Sequence, residues 1–434
     1  MMAKIFNSLG SNYDCAQMWA LKWGRNRGNG DEQRESLAAA LQEKLTRADG
    51  AKPDIKLYYK AREALEVGWR ASGLAAGDEV AINGFTCYVV YQSLARASLK
   101  AVYVDVGSKK LNFDLASLKA ALKAHPKLKA VVFQNTFGYQ PSELEAMVDF
   151  CRAKGLMIVE DLAHSLGMVY SWQNEAERTG YKNGPTAGTI GDWGVVSFSQ
   201  DKGLDVVSGG ALIINNPKLM KIKDRNQEEV LMEVGTRQQR KDHNYPWRTG
   251  LIRDWYWCGL GKAGHWWWKK RGELSNPMSY EGDEGGVHLM TGWQAEAAKE
   301  MLNNESSWPL VLDGRRAVAR VYWLGLNKRW QVSDLEPWQI EWGSCLRYPI
   351  LVEPGRRAGL IEFLAKRGIF VGDVWYDSVI APKKWQAKSS YKKGECPEGE
   401  RLAGAVLNLP THRKMSERRA IKVVKLVNEY LERS

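Results

Sequence analysis

Between about residue 56 and residue 216 the chain alternates short, wholly apolar runs with amphipathic helical patterns, and this alternation narrows its possible folds more than any other feature. Val80-Ala81-Ile82 precedes a helical pattern through 88–97. Ala101–Val106 carries Asp105 near its end, and a helix with Leu115, Leu118 and Leu122 follows. Val131-Val132-Phe133 ends in Gln134-Asn135. The next helix has the clearest limits. Pro141-Ser142 with Glu145 reads as a capping box, Leu144, Met147, Val148 and Cys151 fall at i, i+3, i+4 and i+7, and Gly155 stops it. Leu156–Val159 is then a strand ending in Glu160-Asp161. Strands that are apolar on both faces need cover on both, so the pattern predicts a mostly parallel sheet between helical layers. Ligands of such sheets bind at the carboxyl ends of the strands. Asp105, Asn135 and Asp161 all stand at such ends.

A chain of 434 residues is long for one core, and its flanks differ from its middle. Residues 1–55 are polar and irregular, with one helical candidate near Glu35–Leu45, and read as an N-terminal arm packed on the main domain. A large domain is expected over 56–310 and a smaller C-terminal one over 311–434. The smaller one holds a bridging helical stretch around Val311–Trp330, a helix over Arg357–Arg367, the strand Ile369-Phe370-Val371, and a last helix from Ser416. Ala420, Val423, Val424, Val427 and Leu431 make one face of that last helix. No run approaches the roughly eighteen apolar residues of a membrane span, and Met1-Met2-Ala3-Lys4-Ile5-Phe6 is no signal peptide, so a cytoplasmic location is expected. The six cysteines lack CxxC spacing and the six histidines form no HExxH, which predicts reduced thiols and no metal.

The chemistry points to Ser197-Phe198-Ser199-Gln200-Asp201-Lys202, followed by Gly209-Gly210 and the apolar run Ala211–Ile214. A strand-like run feeds a polar turn that presents one lysine between two buried strands. Such burial makes sense if the amine does chemistry, and the chemistry it fits is a Schiff base with pyridoxal phosphate (PLP). That cofactor needs a lysine, a carboxylate facing its pyridine nitrogen, donors for its phosphate and a flat group over its ring. Lys202 answers the first need, its pKa lowered by burial. Asp161 closes an apolar strand and answers the second, with His164 placed to reach the ring hydroxyl. Ser197, five residues before Lys202, and the helix opened by Ala61-Arg62, with its apolar face of Ala61, Ala64, Leu65 and Trp69, form the phosphate cup. Gly84-Phe85-Thr86-Cys87-Tyr88 follows a strand, so Cys87 or Tyr88 should cover the ring, while Phe85 and Asn135 face the substrate. Each member alone has an ordinary reading: a surface lysine, a helix-capping aspartate, an interior histidine, a solvated arginine.

Asp-Leu-Ala-His at 161–164, Ser-Phe-Ser-Gln-Asp-Lys at 197–202, Gly191-Asp192 and the Gly-Gly at 209–210 together resemble the DegT/StrS family of PLP-dependent sugar aminotransferases. The resemblance runs in register from about 56 to 216 and continues through Trp293-Gln294-Ala295, Gly368-Ile369 and Leu409-Pro410. It implies a fold-type I aminotransferase: a large, mostly parallel α/β/α sheet domain plus a smaller C-terminal α/β domain, working as a homodimer. It implies Lys202 as the internal aldimine lysine, Asp161 as partner of the pyridine nitrogen, His164 at the ring hydroxyl, and Ser197 with the 61–63 turn at the phosphate. It also implies a nucleotide-linked keto-sugar as substrate and glutamate or glutamine as amino donor. The chain departs from the family in three places. Ala61-Arg62 stands for the usual Gly-Thr, Cys87 for the usual ring-covering aromatic, and the Asn lent by the neighbouring subunit is missing around Val287-His288.

Residues 240–285 break the pattern with Trp247, Trp255, Tyr256, Trp257 and Trp266-Trp267-Trp268 among Arg248, Arg253, Lys262, Lys269, Lys270 and Arg271. This segment reads as an inserted excursion. It could pack as a dimer contact or substrate lid, or rest peripherally on membrane headgroups through 247–271; nucleic-acid stacking is disfavoured. The net charge of +12 favours an anionic partner without choosing one. Two functions therefore compete: a PLP-dependent sugar aminotransferase, and a non-catalytic regulator using the same fold on an anionic partner or surface.

Overall fold

The computed structural model describes residues 4–15, 18, 21, 29–173, 181–220, 231–276, 286–303, 308–372 and 375–433. Its centre is a seven-stranded sheet of β1 (Asp54–Tyr58), β2 (Glu79–Asn83), β3 (Lys100–Val104), β4 (Leu128–Gln134), β5 (Met157–Asp161), β6 (Trp193–Ser197) and β7 (Gly210–Ile214). The spatial order is β1-β7-β6-β5-β4-β2-β3. β7 alone runs antiparallel to its neighbours β6 and β1. The parallel majority follows from helical crossovers between successive strands.

Alternate side chains of each strand feed opposite cores, as a period of two requires. Val131, Phe133, Ile158, Val196 and Ile213 meet α1 (Gly30–Lys44), α4 (Leu115–Ala124), α5 (Leu144–Ala153) and the helix Gly292–Asn303. Ala130, Val132, Val159, Val195 and Leu212 meet α2 (Ala61–Ala71) and α3 (Tyr88–Arg96). On that second face α2 comes very close to the sheet. A side chain at Gly68 would stand 2.3 Å from the ring of Trp193, which packs edge-on against Trp69 with centroids 4.7 Å apart.

A second apolar core gathers the helix Trp308–Gly325, the antiparallel pair Tyr348–Leu351 and Val406–Leu409, the helix Pro354–Lys366 and the C-terminal helix Glu417–Glu432. Ala420, Val423, Val427 and Leu431 are its buried face on the last helix, with Val424 at the edge. The arm is less separate than its polarity suggests. Its strand Ile5–Phe6 pairs in parallel with Ile369–Phe370 of this second core, and its last residues already belong to β1.

Two local expectations are corrected. The Ser142–Glu145 capping box does not open α5. The cap position is Glu143, which has no side-chain bond to the helix and instead accepts the N–H of Leu115 at 3.3 Å. The tryptophan-rich segment is not an irregular excursion but two helices, α6 (Thr236–Asp254) and α7 (Leu260–Lys270), turning at Gly259 with φ +86°. Asp242, Tyr245, Thr249 and Ile252 tie α6 to the body, whereas Trp255, Trp257, Trp266 and Trp267 are 43–61% exposed. The indoles thus lie on the outside of regular helices, and an apolar count along the chain does not reveal the side they take. Among the described residues no helix is long and apolar enough to cross a membrane, and all six cysteines are free thiols.

Candidate active site

The carboxyl ends of β4, β5 and β6 meet the corner between β6 and β7. Ser197 pairs with Gly210 across that corner, and Gly209 bridges to Lys60, the residue before α2. A Cβ at Gly210 would fall 2.4 Å from Ala61 Cα, so only glycine lets the first turn of α2 approach. The result is a cup in which the buried Ser197 hydroxyl stands beside the amide end of a helix, with Arg62 buried next to it. Helix N-termini carry unpaired N–H groups and partial positive charge, which suits a phosphate dianion.

The lysine turn is held by one buried carboxylate that the sequence pattern did not flag. Asp205 accepts the backbone N–H of Asp201 at 2.8 Å and of Val207 at 3.0 Å. It also accepts the amide of Asn12 at 3.2 Å and the phenol of Tyr13. Asp201 sits at φ +64°, a left-handed conformation that this network over-determines. Asn12 also donates to the carbonyl of Lys202 itself at 3.0 Å. Lys202 is half-buried as a residue, but its amine points inward, and burial pulls its pKa below the usual lysine value. The charge of Arg347 adds to that, while Cys87, Asp161 and Asp201 oppose it.

Asp161 is buried at the end of β5, with one oxygen accepting the N–H of Ala163 at 3.0 Å. Burial pushes its pKa up, and the Ala163 bond and the charge of Lys202 pull it back. The two opposite charges therefore act on each other across the site, yet they are not an ion pair, and a gap is left between them. His164 accepts the N–H of Phe137 on Nδ1 at 3.1 Å. Its pKa lies well below the usual value, first through burial and then through the charges of Lys202 and Arg347. The ring is thus neutral with its hydrogen on Nε2, a donor.

The structure brings Lys202, Asp161, His164, Ser197, Ala61, Arg62 and Cys87 to this corner; it takes three other candidates elsewhere. Tyr88 turns its ring onto Trp385, stacked at 5.6 Å and 25°, and joins an apolar cluster with Val379 and Tyr391. Phe85 is fully buried, edge-on to Phe137 and Tyr376, so it faces core rather than substrate. Asn135 is also fully buried and spends both amide hydrogens on Ser165 and Tyr170, each at 3.0 Å. The flat group at the site is instead Trp375, with the Lys202 amine 4.9 Å from its ring centre and the His164 ring 5.4 Å away at 30°. Arg347, 1% exposed, lies over the same indole at 4.6 Å, and its Nε and Nη2 have no hydrogen-bond partner. His288, where the family's neighbouring-subunit Asn is missed, bonds Glu63 in the first turn of α2 at 3.0 Å.

An amine and a carboxylate, buried in one site without forming an ion pair, lie beside a helix end that glycine admits, and this set of residues suits PLP. The pattern of the DegT/DnrJ/EryC1/StrS aminotransferase family matches residues 59–252 and 289–428. The chain belongs to this family. Over 388 residues, 87% of each chain, it is 24% identical to the pleiotropic regulatory protein of Geobacillus stearothermophilus. It is 28% identical over 167 residues to the UDP-2-acetamido-2-deoxy-3-oxo-D-glucuronate aminotransferase of Pseudomonas aeruginosa, spanning 37% of this chain and 45% of that one. In fold it is similar to Helicobacter pylori PseC, an aminotransferase involved in the biosynthesis of pseudoaminic acid. The TM-score is 0.68 at 17% identity, covering 99% of this chain and 100% of the other. The fold is that of the fold-type I aminotransferases, and the chain is an aminotransferase of a PLP-dependent family. Residues 253–288, which include α7, fall outside the family pattern.

The state of His164 sets a pH test. Its folded pKa is depressed, so the stability it contributes is present above its ordinary value near 6.5 and is lost as pH falls below it. His164→Gln keeps an acceptor for Phe137 but cannot take a proton. Between pH 7.5 and 5.5 the wild-type melting temperature should fall further than that of the variant. Parallel declines would show that His164 titrates no differently in the folded protein.

Proposed function

We propose that this aminotransferase converts a nucleotide-linked keto-sugar to an amino sugar, taking nitrogen from an amino-acid donor, with PLP held on Lys202. The observation that carries the reading is the facing of Lys202 and Asp161 across a desolvated gap, in a family whose relatives carry sugar-aminotransferase names. PLP, when bound, supplies the electron sink that makes the substrate's C–H bond acidic. The lowered pKa of Lys202 would leave its amine able to take that proton and give it up again within the site. Asp161 would face the pyridine nitrogen and keep it protonated, and the positive charge there would offset the cost of burying the carboxylate. His164 Nε2–H donates to the ring hydroxyl, while Ser197 and the first amides of α2 hold the phosphate. The unpaired face of Arg347 offers the donor's carboxylate a buried, bidentate seat. A binding-only role is not favoured, because a regulator has no use for a desolvated lysine opposite a desolvated aspartate.

Lys202→Ala should abolish turnover and the borohydride-reducible visible chromophore of the purified protein. Asp161→Asn should keep the chromophore but lose activity by roughly two orders of magnitude or more, in line with loss of a preorganised charge. Near-normal turnover in either variant would sink the assignment. Arg347→Met should raise the KM for the amino donor about tenfold or more, the worth of a charge-assisted pair, with the KM for the sugar unchanged. Equal effects on both substrates would mean that Arg347 is not the donor's anchor.

The reading includes a cytoplasmic homodimer, with the exposed indoles of α6 and α7 as contact for a second copy. The support is the 43–61% exposure of Trp266 and Trp267 on α7 and of Trp255 and Trp257 in the connection that precedes it. Peripheral headgroup contact through 247–271 is the competing occupant. Trp266→Glu with Trp267→Glu should shift sedimentation from dimer to monomer. An unchanged dimer, together with wild-type flotation on acidic liposomes that the double variant loses, would assign the patch to a membrane instead.

A further inference from the structure

A cavity of about 360 Å³ opens where the strand Ile5–Phe6, the end of α6 and the approach to the C-terminal helix meet. That volume lies within the range of small-molecule sites. Its walls carry the cations Lys4, Arg253, Lys414 and Arg419 against the single carboxylate Asp254. Among the described residues none of the four is in an ion pair. Lys4 lies 5.2 Å from the centre of the Tyr256 ring. Arg419 spends Nη1 on the carbonyl of Lys414 at 2.6 Å. Arg253 spends Nη1 on the carbonyl of Leu9, and its Nη2 is buried without a partner. Burial and the neighbouring Arg253 charge pull Lys414 down to about 8, and Asp254 and Asp14 only partly oppose them. Trp257, 57% exposed, supplies an indole at the rim.

We infer that this cavity is a binding site for the diphosphate of a nucleotide, with the base laid against Trp257. A single carboxylate would neutralise one cation and leave the others crowded. A diphosphate spreads its charge over the whole ring of donors, and an exposed indole beside it suits a flat base. The site belongs to this chain rather than to the family pattern, which lacks residues 253–288 and so both Arg253 and Trp257. It also touches the catalytic turn. Ser11 lines the cavity, and the next residue, Asn12, donates to the carbonyl of Lys202 and to Asp205. The inference does not depend on what Lys202 holds, since the walls contain no member of that site.

The test is calorimetric titration of the PLP-loaded protein with UDP and with pyrophosphate. Both should bind saturably, and both should weaken at least tenfold in Lys414→Met and in Arg253→Met. Trp257→Ala should weaken UDP severalfold and leave pyrophosphate unchanged. Arg253 also anchors Leu9, so Lys414→Met, which breaks no side-chain bond, decides the matter if the arginine variant misfolds. No saturable binding, or wild-type affinity in Lys414→Met, overturns the inference. The nucleotide has two possible sources, which UDP-N-acetylglucosamine separates. If it displaces UDP and shifts the visible absorbance, the cavity takes the nucleotide end of the enzyme's own substrate. If it displaces UDP and leaves the absorbance unchanged, the cavity takes a separate nucleotide; either result upholds the site.

Discussion

Two opposite charges, the amine of Lys202 and the carboxylate of Asp161, are carried out of water at the end of the sheet without forming an ion pair. Each is costly there by itself, since desolvation penalises the charged form by several kcal/mol per ion. The pKa directions report that cost: the lysine is pushed down and the aspartate up, each toward neutrality. Direct contact would relieve both, yet the strands keep them apart. β5 and β6 are neighbours in fixed register, Val195 opposite Asp161, and the lysine turn begins only beyond Ser197. Lys202 and Asp161 would hold a PLP ring between them, and that group would supply the charge and the electrophile that these two side chains suit.

Keeping that geometry requires a rigid turn, and the rigidity comes from far along the chain. Asp205 gathers donors from its own loop and from Asn12 and Tyr13, nearly two hundred residues away in sequence. Its own pKa is raised by burial and lowered by these same bonds, so the network is what makes the carboxylate tolerable. Arg315, fully buried in the helix Trp308–Gly325, donates to Asn12 at 2.9 Å and to the carbonyl of Leu346 at 3.0 Å. The polar N-terminus is therefore a structural member of the site and also, through Ile5–Phe6, of the second core. The two cores are tied together through the turn that carries Lys202.

This division explains what the chain reveals by itself. Strands buried on both faces and helices with one apolar stripe are local patterns, so β2 to β7, the face of α5 and the face of the last helix were legible. So was the lysine corner, because a Gly-Gly pair that admits a helix end is close in sequence to the strand it serves. Trp375, Arg347 and Asp205 were not legible. Each acts through a neighbour distant in sequence, and an arginine or aspartate in a polar stretch looks like any solvated charge. Tyr88 misled for the complementary reason. Its place after Cys87 is right, but α3 begins at that residue and swings the ring toward Trp385. The exposure of the indoles on α6 and α7 lies in the same category, since helix amphipathicity says which residues are apolar and not what covers them.

The excess positive charge is also distributed with a purpose. Arg347 and Arg315 are both about 1% exposed and close enough that the first helps burial pull the second down to about 9. Like charges buried together repel, and carbonyl oxygens satisfy only part of each guanidinium: Nε of both and Nη2 of Arg347 stay unpaired. Arg253, half-buried near the end of α6, likewise leaves Nη2 without a partner. Neutral acceptors return only part of the desolvation cost of a buried guanidinium. Around Lys202 this leaves the charge of Arg347 only partly compensated by the oxygens it touches.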